Sequence, residues 1–233
     1  MEDELDWRRA IEQTFVVRFP KQNLATFGST NIRYYVVTEP IYQDADPVRP
    51  EGILRTGRVI AQRPTVVTPT YAMNLQGFSS EAYEYFRDVA RSSGPNSPGI
   101  LYQYRNESEK MDIVSGVPTE IAHRISDDLD RRKEGLSMVM VGVDALWDVA
   151  LLKFVYEFTS SSLSGNVREL QARGLLTPQP DFRGVPQAAI QQIESLFREA
   201  EQGGSYEVLK QEIDRWGLFD LYQDRFLNLF RNR

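Results

Sequence analysis

The most apolar stretch of the chain, Leu136 to Phe158, predicts a buried strand followed directly by a buried helix. Ser137 to Val143 is short and rich in Val and Met, which is typical of a strand inside a sheet. From Asp144 onward the apolar residues recur at helical spacing, and Asp144 is a candidate N-cap. Both broad faces of this helix are apolar, so we expect a central buried helix that lies between two layers of the fold.

Before this stretch, the pattern alternates between strands and helices. Runs rich in β-branched and aromatic residues predict strands at 15–19, 32–38, 58–62, 65–68, 100–104 and 112–115, and helical spacing predicts helices at 79–90 and 118–129. The polar segment RNESEK, residues 105–110, is expected to be an exposed loop between two strands. Strands joined through helices require some parallel pairing. The sequence therefore predicts an α+β fold, with a mixed β-sheet covered by helices.

After Thr159 the pattern becomes entirely helical. Residues 160–165 are predicted to be a connection, and Asn166 is a candidate cap for a short helix that ends at Gly174. Three amphipathic helices follow, and their predicted buried residues are Ala189, Ile190, Ile193, Phe197 and Ala200, then Tyr206, Leu209, Ile213 and Trp216, then Phe219, Tyr222, Phe226, Leu229 and Phe230.

These patterns predict three regions. Residues 1–176 form an α+β body, residues 177–187, with three prolines and a glycine, form a linker, and residues 188–233 form an all-helical C-terminal appendage. Because the appendage is too small to be stable alone, it should pack on the body or on another subunit.

The amino-acid composition excludes several kinds of catalytic site and binding partner. The 233 residues include no cysteine, which excludes thiolate catalysis, cysteine-bound metals and disulfides. The net charge of −6 disfavours binding to duplex nucleic acid, which requires a basic surface. Charged residues interrupt the apolar stretch 136–158, so we expect no membrane span. The acidic N-terminus does not resemble a signal peptide, and a cytoplasmic location is expected.

His123 is the only histidine, and it lies at helical spacing from Glu120 and Asp127. Glu-x-x-His is a ligand spacing found in di-iron helical bundles, but that architecture needs a second such motif. A solvent-exposed histidine among helix charges is the simpler interpretation. We therefore predict no metal and no cofactor, and we keep these three residues as candidates to examine in the structure.

Asp144 and Asp148 form a second candidate pair, because they lie on one side of the predicted central helix. Buried carboxylates beside Trp147 would be of chemical interest. The alternative is an N-cap followed by an exposed polar seam.

Two functional hypotheses follow. The first is a non-catalytic cytoplasmic interaction or assembly protein that contacts a protein partner, or another copy of itself, through its C-terminal helices. The second is an enzyme that uses carboxylate and arginine chemistry, of a hydrolase-like kind, on a phosphorylated or glycosidic substrate. An enzyme should have a concave site with convergent charged groups, whereas an interaction protein should have an exposed apolar surface.

Overall fold

The computed structural model describes residues 7–41, 50–74 and 80–231. The strands are β1 (Phe15–Arg18), β2 (Thr30–Thr38), β3 (Glu51–Ala61), β4 (Thr65–Val67), β5 (Gly99–Leu101), β6 (Tyr104–Ser115), β7 (Ser137–Gly142), β8 (Pro178–Gln179) and β9 (Val185–Pro186). The helices are α1 (Trp7–Glu12), α2 (Pro69–Met73), α3 (Ser80–Ser93), α4 (Pro118–Arg131), α5 (Trp147–Ala172), α6 (Gln187–Glu201), α7 (Tyr206–Arg215) and α8 (Phe219–Asn228). Residue 79, the predicted start of α3, lies outside the described ranges.

Within these ranges, five strands form a mixed sheet in the order β1, β7, β2, β3, β6. β2 and β7 pair in parallel, and the other neighbours are antiparallel. The parallel pair exists because α4 carries the chain from β6 across the sheet to β7. The predicted α+β fold with a mixed, helix-covered sheet is confirmed.

Helices cover both sides of this sheet. On one side, the α5 side, Phe154 and Phe158 pack on a core that includes Ile32, Tyr34 and Val36 from alternate positions of β2. On the other side, the α4 side, Ile121 and Leu129 of α4 join a core with Val37 and Val139. Pro118 opens α4 at a position that needs no backbone N–H group, as the sequence predicts.

Contacts divide the chain into two compact units. Unit 1 comprises Met1–Arg63 and Tyr102–Asn166, and unit 2 comprises Pro64–Leu101 and Val167–Arg233. The sequence pattern gave no sign that residues 64–101 pack with the C-terminal helices. The predicted linker, residues 177–187, contains the paired strands β8 and β9. The domain boundaries inferred from the sequence stay predictions about which parts fold independently.

Unit 2 has a helical core. The predicted apolar stripes of α6, α7 and α8 meet there, together with Tyr71 of α2. Glu212 of α7 is also buried and accepts hydrogen bonds from Trp216 Nε1 at 3.0 Å and from the Tyr71 hydroxyl at 3.3 Å. One of the predicted core residues, Phe230, is instead 52% exposed.

The polar segment 105–110 is not a loop, so the prediction of an exposed loop there is wrong. It belongs to β6, a twelve-residue strand at the edge of the sheet. Its side chains are mostly exposed, so the segment lacks the apolar alternation that identifies half-buried strands. Polar and charged side chains are common on edge strands because they discourage unwanted pairing.

The predicted connection at 160–165 is also wrong, because α5 continues without a break from Trp147 to Ala172. Its serine and threonine hydroxyls donate to carbonyl groups of the preceding turn, as in Ser162 to Phe158 at 2.9 Å. The buried Asn166 donates to the Tyr102 hydroxyl at 3.0 Å. Tertiary hydrogen bonds therefore hold a sequence of low helix propensity in a helix.

α5 is the central helix of unit 1, but only part of its apolar surface is covered. Ala150, Leu151 and Phe154 are buried against the sheet, whereas Leu152 and Tyr156 are 68% and 74% exposed. This departs from the expectation that both faces are buried. In the described ranges, none of the helices is both long enough and apolar enough to cross a bilayer.

Candidate functional site

A cleft of about 510 Å³ lies at one edge of the sheet in unit 1. Its lining residues follow the carboxyl ends of β2 and β7 and open helix α4; they are Gln13, Glu39, Pro40, Ile41, Val117, Pro118, Thr119, Val141, Gly142, Val143 and Asp144. α4 leads into β7 from one side of the sheet, and α5 leaves β7 on the other side. A crevice of this kind is where open sheets with parallel strands commonly bind ligands.

An ion pair lies at the wall of the cleft. Arg55 Nη1 donates to Asp144 Oδ1 at 2.5 Å and to Thr38 Oγ1 at 3.0 Å, and the Thr38 hydroxyl donates to the same Asp144 oxygen at 2.6 Å. The charged side chains are each 13% exposed. Removing either one would leave the other charge largely buried without its partner, which is strongly unfavourable.

β2, β3 and the turn between β7 and α5 position this group. Arg55 pairs with Val36 across the β2–β3 ladder, so it points to the α5 side of the sheet. Its guanidinium carbon lies 5.7 Å from the centre of the Trp147 ring, within the range of a cation–π contact. Asp144 is not the N-cap residue, because that position at the start of the 3-10 turn belongs to Val143. Its carboxylate instead binds Arg55 and Thr38.

The remaining cleft surface combines apolar walls with a few polar groups. Pro40, Ile41, Val117 and Pro118 supply apolar surface, and the exposed carboxylate of Glu39 lies on the same lining. A small molecule with an apolar body and hydrogen-bond donors fits such a surface.

The structure does not bring the histidine group into this cleft. Glu120, His123 and Asp127 lie exposed on α4. In the part of the chain that the structure describes, no group of three or more His, Asp or Glu side chains is arranged to hold a metal ion.

The two aspartates predicted on one side of the central helix have different surroundings, and Asp144 lies before α5 in a short 3-10 turn. Asp144 is tied to Arg55, whereas Asp148 is exposed and accepts a hydrogen bond from the Val149 N–H group at 3.0 Å. Sequence reasoning singled out Asp144 but missed Arg55 and Thr38, which come from other strands and carry no local signal.

A second candidate surface lies on the α5 side of β3 and β6. We call it the β6 surface, and its residues are Ile53, Met111, Ile113 and Trp147. Ile113 pairs with Ile53 and Met111 pairs with Arg55 across the β3–β6 ladder, and Arg55 lies against Trp147. Met111 is 65% and Ile113 is 63% exposed. Neighbouring apolar side chains thus remain open to solvent beside β6, the last strand of the sheet in the described ranges.

The opposite side of β6 carries charges. Glu107 binds Arg58 at 3.1 Å and Arg105 at 2.7 Å. Lys110 and Asp112 are exposed, and among the described residues neither side chain has an ion-pair or hydrogen-bond partner.

Most of the apolar residues that the sequence predicts as a contact surface on the C-terminal helices are buried. Ile193, Phe197, Leu209 and Ile213 are fully buried within unit 2, and burial together with the Glu194 carboxylate raises the pKa of Tyr222 to about 12. Most residues of the aromatic and apolar stripes of these helices therefore belong to the core of their own unit.

Comparisons with known proteins give no family assignment: no family model, no curated protein and no solved structure matches this chain.

Proposed function

We propose that the chain is a non-catalytic cytoplasmic protein that binds other protein chains at the β6 surface, by accepting an extended strand beside β6. The observation that carries the proposal is the exposed pair Met111 and Ile113 on an edge strand. An added strand gains main-chain hydrogen bonds from the free edge, and alternate side chains supply specificity. Met111 and Ile113 are spaced two residues apart, so they project to the same side as the alternate residues of such a strand.

This proposal moves the contact from the C-terminal helices to the sheet. Most residues of the apolar stripes on which the earlier hypothesis rests are buried in unit 2, although Phe230 is 52% exposed. The buried residues offer a partner less apolar surface than Met111 and Ile113, which are 65% and 63% exposed.

Photo-crosslinking tests the proposal directly. A photoreactive amino acid replaces Met111 in the full chain, which is expressed in its native cells, and crosslinked products are identified by mass spectrometry. The matched control places the same group at Leu227 of α8, which is 45% exposed. We expect a defined protein product from position 111 that disappears when Ile113→Glu is added.

A product formed equally well from position 227, or a product that survives Ile113→Glu, would contradict the proposal. Absence of any product from position 111, including a crosslink between two copies of the chain, would also contradict it.

The enzyme alternative keeps one specific observation in its favour, the cleft that holds both Glu39 and Asp144. Two carboxylates can serve as acid and base in glycoside hydrolysis. The test is hydrolysis of p-nitrophenyl phosphate and a panel of p-nitrophenyl glycosides. This alternative predicts turnover that is lost in Asp144→Asn and Glu39→Gln but kept in Asp148→Asn. Equal rates in all variants, or no turnover by the wild-type chain, would rule it out for these substrate classes.

A further inference from the structure

The side chains of β6 form two rows, one on each side of the sheet. Even-numbered residues face the α5 side before a bulge, and odd-numbered residues face it after the bulge. Thr56 of β3 pairs with Lys110, but the next residue, Gly57, pairs with Ser108, so Glu109 is the extra residue. From their partners on β3, the residues on the α5 side are Tyr104, Asn106, Ser108, Met111 and Ile113, and those on the α4 side are Arg105, Glu107, Lys110, Asp112 and Val114. The bulged Glu109 has no partner on β3 in this ladder, and its carboxylate binds Arg58 at 3.2 Å.

The four charges that flank the bulge on the α4 side are self-complementary. Arg105 and Glu107 precede the bulge as plus and minus, and Lys110 and Asp112 follow it as plus and minus. If a second β6 runs antiparallel about a two-fold axis between residues 108 and 109, Arg105 faces Asp112 of the second copy. In the same register, Glu107 faces Lys110 of the second copy. Each pair occurs twice by symmetry, and opposite charges directly across a ladder stabilise it.

The side chains on the α5 side agree with the same register. Asn106 faces Met111 of the second copy, and Tyr104 faces Ile113 of the second copy. Every one of these pairs joins residues from the same side of the sheet, as antiparallel pairing requires. The axis passes beside Glu109, where the bulge already interrupts the regular ladder.

Neighbouring registers are disfavoured by charge. Moving the second strand by two residues in one direction places Arg105 opposite Lys110, and in the other direction places Glu107 opposite Asp112. Both moves oppose like charges, which destabilises a cross-strand pair. A move by one residue would bring opposite sides of the two strands together.

From this register we infer that the chain pairs with a second copy of itself, β6 to antiparallel β6, to form one continuous sheet across the two copies. The inference rests on the proposed function and names its partner. Charged edge strands usually prevent pairing. Here the order of the charges favours this register over the two registers next to it, and Lys110 and Asp112 gain the ion-pair partners that they lack within the described chain.

Sedimentation of the full chain over a range of concentrations tests the assembly. We expect a dimer of twice the 26.8 kDa chain mass. Lys110→Glu and Asp112→Arg should each raise its dissociation constant about tenfold or more, because they place like charges opposite Glu107 and Arg105. The matched controls are Lys133→Glu and Asp224→Arg, both at exposed positions outside β6, and they should leave the constant unchanged.

Disulfide trapping tests the register. The chain has no cysteine, so a mixture of Asn106→Cys and Met111→Cys chains reports only the introduced thiols. Facing residues on antiparallel strands lie within disulfide range. Under mild oxidation this mixture should form the mixed disulfide faster than a mixture of Asn106→Cys and Ile113→Cys chains, which reports the register moved by two residues.

A chain that stays monomeric at every concentration would overturn the inference, as would charge variants that behave like their controls. Faster crosslinking between positions 106 and 113 would overturn the register. If the chain is monomeric but photo-crosslinking at position 111 still gives a specific product with another protein, the inference fails and the proposed function stands. If neither a dimer nor such a product forms, both fail.

Discussion

At the scale of single residues, close packing around Tyr34 fixes the middle of the sheet. The Tyr34 side chain is fully buried and lies over Gly57, its cross-strand neighbour on β3. A Cβ atom at position 57 would overlap the Tyr34 hydroxyl and the Glu107 carbonyl oxygen. We therefore expect Gly57→Ala to lower the free energy of unfolding by about 2 kcal/mol, because the packed neighbours must move.

Urea unfolding of the two purified proteins checks this expectation. Gly99→Ala is the control, since a Cβ atom there meets only Val67 at an ordinary 3.9 Å. Equal stability of the Gly57→Ala and Gly99→Ala chains would show that Tyr34 does not pack on β3 as described.

The sequence could identify a candidate residue for the cleft but not its surroundings. Asp144 stands out because it separates a buried strand from a helix, and local rules then assign it to a helix cap. Its actual partner, Arg55, is 89 positions away along the chain. No local pattern specifies a contact over that separation, since it depends on how β2, β3 and β7 are ordered in the sheet.

At the scale of elements, the spacing of apolar residues correctly predicts the helices and strands that bury a continuous row of side chains. α4, β7 and α6 to α8 were found at nearly their observed positions, because each buries a continuous row of side chains. The sequence pattern predicts two strands and a loop where β6 is continuous, because the charged half of β6 buries almost nothing. It likewise predicts two helices and a connection where α5 is continuous, because Ser162, Gly165 and Asn166 have low helix propensity. In both elements, partners distant in sequence supply the stabilisation.

The continuity of α5 predicts an unusual gain in stability. Gly165 lies inside the helix, and a Cβ atom there would meet nothing closer than Asn23 Nδ2 at 4.0 Å. Gly165→Ala should therefore raise the free energy of unfolding by about 0.5–1 kcal/mol, because alanine loses less backbone entropy in a helix. Gly174→Ala is the contrasting variant and should destabilise the chain, because residue 174 has a φ of +67°. Chemical denaturation measures both changes. Destabilisation by Gly165→Ala would contradict a continuous helix at residue 165.

The stability of unit 2 should depend on pH through Tyr222 of α8. Burial, followed by the charge of Glu194, raises the pKa of Tyr222 to about 12, against about 10 for an unfolded phenol. The folded state holds the proton more tightly, so this stabilisation is complete below pH 10 and is lost as the pH approaches 12.

In the Tyr222→Phe chain, the free energy of unfolding should fall by about 1.4 kcal/mol less per pH unit across this window than in the wild-type chain. Urea unfolding at a series of alkaline pH values measures the two slopes. Identical slopes would mean that Tyr222 titrates as an exposed residue does.

At the scale of the whole molecule, residues that pack in one unit are not contiguous in the sequence. Unit 2 takes residues 64–101 from between two strands of the sheet and combines them with the C-terminal third of the chain. Tyr71 of α2 enters the same core as α6 to α8. A sequence scan assigns neighbouring residues to one domain, so it could not anticipate an inserted segment.

The central claim is that β6 is the strand through which copies of this chain meet. Hydrogen–deuterium exchange of the full chain, followed at low and at high protein concentration, tests it most directly. We predict that peptides covering residues 104–113 gain protection as the concentration rises, while peptides from α6 to α8 exchange at unchanged rates. Exchange in β6 that is independent of concentration, or added protection confined to α6 to α8, would contradict the claim.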